Sequence, residues 1–178
     1  DDSAKNIVIK AIEKKFHIVT ANTSLIALHG TEINKLSLEK NCSVLYEASV
    51  AGAVPIIKVI KESLSANKIQ WIAGIINGTT NYILTEMLLS GKNFNDVLDE
   101  AKELGYAESD PTFDIGGIDA AHKLTILASI CFGIPLNYDS VYVEGIEDID
   151  LQDLNNAMEL GYTIKHLAIA RKSKYGIE

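Results

Sequence analysis

The sequence predicts an α/β fold, and three features of its pattern carry that prediction. Helical and strand-like segments alternate through the first fifty residues, as they do where helices cover a parallel sheet. Short apolar and β-branched runs such as FHIVTAN at 16–22 and IQWIAGII at 69–76 end at polar residues or turns. Between such runs lie stretches with apolar residues at helical spacing, several of them closed by glycine or proline.

In chain order, residues 4–15 place Ile7, Ala11 and Ile12 on one helical face and lysines on the other. FHIVTAN reads as a buried strand. Residues 25–40 read as a second helix with Gly30 as a break point, and SVLYEASV at 43–50 as a second strand. Helix, strand, helix, strand is half of a parallel α/β unit. Residues 48–55 are rich in small side chains, and 56–64 form an amphipathic helix. IQWIAGII is then a strongly apolar strand that takes Trp71 into the core. Asn77-Gly-Thr-Thr-Asn81 is a turn whose side chains cap a helix from Tyr82 to Leu89, which Gly91 ends. Asn93 is a good N-cap, and Phe94, Val97, Leu98, Ala101 and Leu104 form an apolar stripe up to Gly105 at the C′ position. A helix over 118–132 turns Leu124, Leu127, Ala128 and Cys131 inward and stops at Gly133 and Pro135. Strands at 141–146 and 166–172 flank a last helix near 151–160. The lone Gly145 marks a bulge or a close backbone approach.

Composition narrows the function. A chain of 178 residues with 47% hydrophobic content makes one domain, or one plus part of another, with a sizeable core. Its apolar runs are too short to span a bilayer, so no membrane role is expected. A net charge of −8 disfavours nucleic acid as a partner. Cys42 and Cys131 are far apart, and Cys131 between Ile130 and Phe132 reads as a small buried hydrophobe. Neither a disulfide nor a thiolate metal site is expected, and a reducing cytoplasm fits best. Asp1 opens the chain without a charged-then-apolar leader, which reads as neither a secretory start nor an intact reading frame. No G-x-G-x-x-G occurs, so no dinucleotide fingerprint is present.

The chemistry concentrates between Gly105 and Lys123. Glu108, Asp110, Asp114 and Asp119 precede Lys123, with Pro111, Gly116 and Gly117 shaping the connection. Asp119 and Lys123 are four apart and share a helical face. Such a set can hold a substrate ammonium and leave one amine for proton chemistry. The plain alternative is an acidic loop followed by a surface ion pair. A carboxylate-pair hydrolase would leave NGTTN and the lysine unexplained. Histidines 17, 29, 122 and 166 share no ligand spacing, and His122 suits an ordinary helix position.

Together, VTAN at 19–22, YEASVAGAVPII at 46–57, GIINGTTNYILTEM at 74–87 and GYAESDPTFDIGGIDAAHK at 105–123 resemble homoserine dehydrogenase, in that family's order. The resemblance implies nicotinamide-dependent, reversible interconversion of L-homoserine and aspartate semialdehyde by a cytoplasmic homodimer. It implies that residues 1–47 are the C-terminal part of an NAD(P)-binding Rossmann domain. Residues 48–178 would be the α+β catalytic and dimerisation domain, a mixed sheet packed on helices. By position, Lys123 matches the catalytic lysine, and Glu108, Asp114 and Asp119 match acids that bind the substrate. Gly105, Asn22 and Thr23 fall at cofactor-facing positions. Glu47, Val50, Gly52 and Val54 fall where the family binds sodium, largely through backbone oxygens. The chain departs from the family at Thr23, where lysine usually follows TAN; this favours, as the alternative, a weakened homologue acting as an amino-acid-binding or dimerisation module. The resemblance also puts the glycine-rich phosphate loop and a later cofactor-contacting segment outside these 178 residues. Weak cofactor binding is therefore expected of them alone.

Overall fold

Capping side chains set four of the eight α-helix starts in the computed structural model, which describes residues 2–178. Asn22, Asn77, Asn93 and Asp150 each accept a hydrogen bond from the backbone N–H three residues on. The elements run α1 (Asp2–Glu13), β1 (Ile18–Val19), α2 (Thr23–Lys40), β2 (Val44–Leu45), a 3-10 turn (Glu47–Ser49) and α3 (Ile56–Lys58), which widens into a π turn (Val59–Ser63). There follow β3 (Trp71–Gly74), α4 (Gly78–Ser90), α5 (Phe94–Glu103), α6 (Thr112–Ile115), α7 (Ile118–Phe132), a 3-10 turn (Tyr138–Ser140), α8 (Leu151–Glu159), β4 (Ala168–Ser173) and β5 (Gly176–Ile177).

The chain forms two compact units. The first comprises the described residues up to Ile72, with Ala121–Val141 and Ile169–Glu178. Here β1 and β2 pair in parallel, Ile18 opposite Val44, across the connection made by α2. That is the α/β half-unit expected, with strands shorter than the apolar runs suggested. Ile12, Leu25 and Ile33 pack with Val8 on one side of it. Ile26, Ala27, Val50, Ile57 and Ile126 make a second cluster. Each such side chain contributes about 1.5–3 kcal/mol by leaving water. Gly30 does not break α2. A Cβ there would stand 2.5 Å from Leu136 Cδ1, so the glycine admits a close neighbour instead. β4 and β5 pair antiparallel, with Lys172 opposite Ile177.

The second unit comprises Ala73–Ala120 and Tyr142–Ala168. Its core joins Ile83, Leu84 and Met87 of α4 to Val97, Leu98 and Ala101 of α5, closed by Ile115, Ile146 and Leu154. Val97, Leu98 and Ala101 of the stripe read over 94–104 are the buried face of α5, Phe94 packs partly against it, and Leu104, past the helix end, is exposed. Gly91 and Gly105 adopt φ of +68° and +77°, as the ends of α4 and α5 require.

Several expectations are corrected. Trp71 is 64% exposed, not core, because β3 alternates and Ile72 is the residue that packs inward. An all-apolar strand does not show which face is buried. Ile7 is likewise exposed, while Val8 and Ile12 are buried, so the inward face of α1 lies one position on. Leu124 and Cys131 are only partly buried, although burial still raises the Cys131 thiol pKa. Residues 141–146 form no strand: Ile146 N–H donates to Ile115 O at 2.8 Å, docking the segment on a turn rather than on a ladder. α4 starts at Gly78, four residues early, because Asn77 is its cap. No helix among the described residues is long and apolar enough to cross a membrane.

Candidate active site

The acidic stretch folds into more order than a loop. Asp110 Oδ1 accepts from Thr112 N–H at 3.1 Å, and Pro111 leads into the single turn of α6. Hydrogen bonds from the Thr112 hydroxyl and then from its backbone N–H hold the Asp110 carboxyl below the usual carboxylate range. Asp110 is thereby a local turn-former. Gly116 and Gly117 then reverse the chain into α7, Gly117 at φ +82°. Asp114 and Asp119 flank this turn, both half-buried.

One side chain joins them. The Asn77 amide nitrogen donates to Asp114 Oδ1 at 2.7 Å and to Asp119 Oδ2 at 2.9 Å. Its carbonyl oxygen accepts Thr80 N–H at 2.9 Å, so the same residue caps α4. Asn77 is 5% exposed, and both polar atoms of its side chain are hydrogen-bonded. The Thr79 hydroxyl lies 2.9 Å from Tyr106 O and 3.1 Å from Asp114 Oδ2, and its one proton serves either. The Tyr106 ring stacks on Tyr82 with centroids 4.6 Å apart. Two carboxylates gathered on one neutral amide suit a cation with several N–H donors, such as a substrate ammonium.

Of the remaining candidates, Glu108 is exposed, and Lys123 is half-buried on α7, four residues after Asp119. Gly105 is exposed, and a Cβ there would meet nothing within 4 Å among the described residues. Asn22 is committed to Leu25 N–H, and the Thr23 hydroxyl donates to Ser49 O at 2.7 Å. His122 is buried against Tyr138, rings 4.5 Å apart and edge-on.

The proposed cation turn has a different order. Both Glu47 carboxylate oxygens accept backbone N–H groups, of Ile57 and Lys58, at 2.9 Å each. Each of those oxygens keeps a second lone pair, and the Glu47 carbonyl accepts Val50 N–H at 3.4 Å. Ala51 and Gly52 follow at φ of +55° and +38°, a tight left-handed turn. Val54 O accepts Ile56 N–H at 2.8 Å and keeps a second lone pair. A set of backbone oxygens fits a hard, weakly charged ion. No group of three or more His, Cys, Asp or Glu side chains among the described residues could hold a metal.

Sequence reading missed the roles of Asn77 and Thr79 toward the acids. NGTTN reads as capping chemistry, and only the second function of an N-cap asparagine, its two amide donors, hints at more.

A family model described as homoserine dehydrogenase matches residues 55–178. The homoserine dehydrogenase of Pseudomonas aeruginosa is 59% identical over 175 residues, 98% of this chain and 40% of the relative. That of Neisseria gonorrhoeae is 55% identical over 175 residues, again 40% of its length. A crystal structure of a homoserine dehydrogenase from Thiobacillus denitrificans matches with a TM-score of 0.96 and 55% identity, over 98% of this chain and 40% of that one. The chain thus spans about 40% of the length of the curated relatives it matches.

Proposed function

The chain belongs to the homoserine dehydrogenase family, and on that premise we propose that the protein carrying it interconverts L-homoserine and aspartate semialdehyde with an NAD(P) cofactor. The observation that carries this is the Asp114–Asn77–Asp119 bridge inside the family's acidic motif. In this reading Asp114, Asp119 and Glu108 hold the substrate ammonium, and Lys123 handles the proton of the reacting hydroxyl. A bound nicotinamide would supply the acceptor or donor for the substrate's hydride. Gly105, Asn22 and Thr23 would be its contacts. Residues 1–47 would be the rear of the nucleotide-binding domain, and 48–178 the catalytic and dimerisation domain. The relatives' activity favours this over a mere binding module. Glu47, Val50, Gly52 and Val54 would hold sodium through backbone oxygens. The two free thiols fit a cytoplasmic protein; a Cys42 or Cys131 disulfide in protein taken directly from cells would contradict that.

Calorimetric titration with L-homoserine tests the reading. Glu108→Gln should weaken binding about tenfold, since it removes a charged partner worth roughly 1.4 kcal/mol. Hydrogen-exchange protection by the ligand should fall after residue 48. Absence of any binding up to millimolar L-homoserine would sink the assignment. Repeating the titration in potassium rather than sodium chloride tests the ion, and an unchanged affinity and melting point would remove it.

A homodimer is also proposed. α4 spends Ile83, Leu84 and Met87 on the core and leaves little apolar surface for it. The strands keep the motive: Trp71 on β3 is 64% exposed and Ile169 on β4 49%. Sedimentation equilibrium at tens of micromolar should show a dimer that Trp71→Lys weakens. A wild-type chain that stays monomeric would end this proposal.

A further inference from the structure

The turn that separates Asp114 from Asp119 is gripped by two residues distant in sequence. Ile146 N–H donates to Ile115 O at 2.8 Å. A Cβ on Gly145 would stand 2.5 Å from that same oxygen and 2.9 Å from Gly116 Cα, so only glycine admits this approach. A Cβ on Gly117 would stand 2.8 Å from Glu144 O and 3.3 Å from His166 Nε2. His166 Nε2 lies 3.1 Å from Glu144 O; facing a carbonyl, it carries the proton and donates. Its Nδ1 is buried without a hydrogen-bond partner among the described residues, so the Glu144 carbonyl is the ring's single polar anchor.

We propose that Gly145 and His166 are positioning residues for the acidic pair. They lock the Ile115–Gly117 turn, and through it the spacing at which Asp114 and Asp119 meet the Asn77 amide. The physical reason is leverage. Asp114 immediately precedes the turn and Asp119 follows it by two residues, so a backbone shift there passes to both carboxylates. Hydrogen-bond strength falls steeply with distance and angle, and an ammonium site loses affinity with small misplacement. The buried side chains of Ile115 and Ile146, at 5% and 2% exposure, hold the clamp against the core. The consequence for substrate rests on the function proposed above; the consequence for the Asn77 bridge does not.

The test is made on the whole chain, isotope-labelled for NMR. In the wild type the two Asn77 side-chain amide protons should resonate downfield and exchange slowly, each being bonded to a carboxylate. In Gly145→Ala and His166→Leu they should move toward solvent values and exchange at least about tenfold faster, while the methyl signals of Ile83 and Met87 stay in place. L-Homoserine affinity should fall about tenfold in the same variants. His166→Gln keeps a donor for the Glu144 carbonyl and should recover most of both properties. Should Gly145→Ala fail to fold, the His166→Leu and His166→Gln pair decides. Asn77 signals that do not move in a folded His166→Leu variant would overturn the proposal. A wild type that binds no homoserine, with Asn77 signals still responding to His166→Leu, would sink the substrate assignment and leave the clamp standing.

Discussion

Replacing Lys123 by arginine is expected to lower kcat on the order of a hundredfold or more in the protein that carries this chain, with homoserine binding largely kept. Arginine preserves the positive charge, but its guanidinium does not give up a proton in proteins. A residue that takes the hydroxyl proton must lose and regain one in each cycle. A residue that only stabilises charge need not. The substitution therefore separates proton transfer from electrostatic stabilisation, for which a milder loss is expected. Position adds a reason to look here. Where the family usually carries a lysine after TAN, this chain has Thr23, whose hydroxyl is donated to Ser49 O at 2.7 Å. That side chain supplies no charge, so on the proposed reading more of the proton chemistry would fall to Lys123. Steady-state rates in both directions, with KM and kcat read separately, make the measurement. Near-normal turnover by the arginine variant would remove Lys123 from the proton-transfer role.

The second large effect is expected at Asn77. Asn77→Asp keeps an oxygen for Thr80 N–H and so preserves the cap on α4. It removes both donors to Asp114 and Asp119, and sets a third carboxylate where those contacts of 2.7 and 2.9 Å now stand. Hydrogen bonds to charged groups contribute about 1.5–3 kcal/mol each, less where water reaches the acceptor, as it does at these half-buried acids. Like-charge repulsion adds to the loss. The sum expected is about 2–4 kcal/mol, read as a lower urea midpoint at unchanged slope. Asn77→Ala loses the cap, about 1 kcal/mol, and the donors, but adds no charge, so it should be the milder variant. An aspartate variant as stable as the wild type would show that the amide does not hold the acids together.

Local chemistry made much of the architecture readable. The asparagines that cap α4 and α5, the glycines that end them, and the period of the α5 stripe act over a few residues, so their signals sit side by side in the chain. The acidic motif and its lysine were readable for a different reason: charged groups packed that densely are chemistry before they are structure. Gly145 lay between. A glycine in an apolar run announces a close approach, and the carbonyl it admits, that of Ile115, is 30 residues away and leaves no mark nearby.

By itself, then, the sequence determined helix ends, turn chemistry, the family motif and the pool of acids from which a site is drawn. Tertiary structure alone decided which acids meet. Asp114 and Asp119 were gathered on Asn77, a residue 37 and 42 positions away, while Asp110 stayed with its neighbour Thr112. It also decided that Trp71 faces solvent while Ile72 faces the core, which a uniformly apolar strand does not disclose. And it made 141–146 a clamp on a turn instead of a strand. The physical reason is common to all three. Capping and periodicity are interactions between neighbours, whereas pairing partner, buried face and carboxylate spacing depend on which distant backbone arrives to fill the hydrogen bonds and the space.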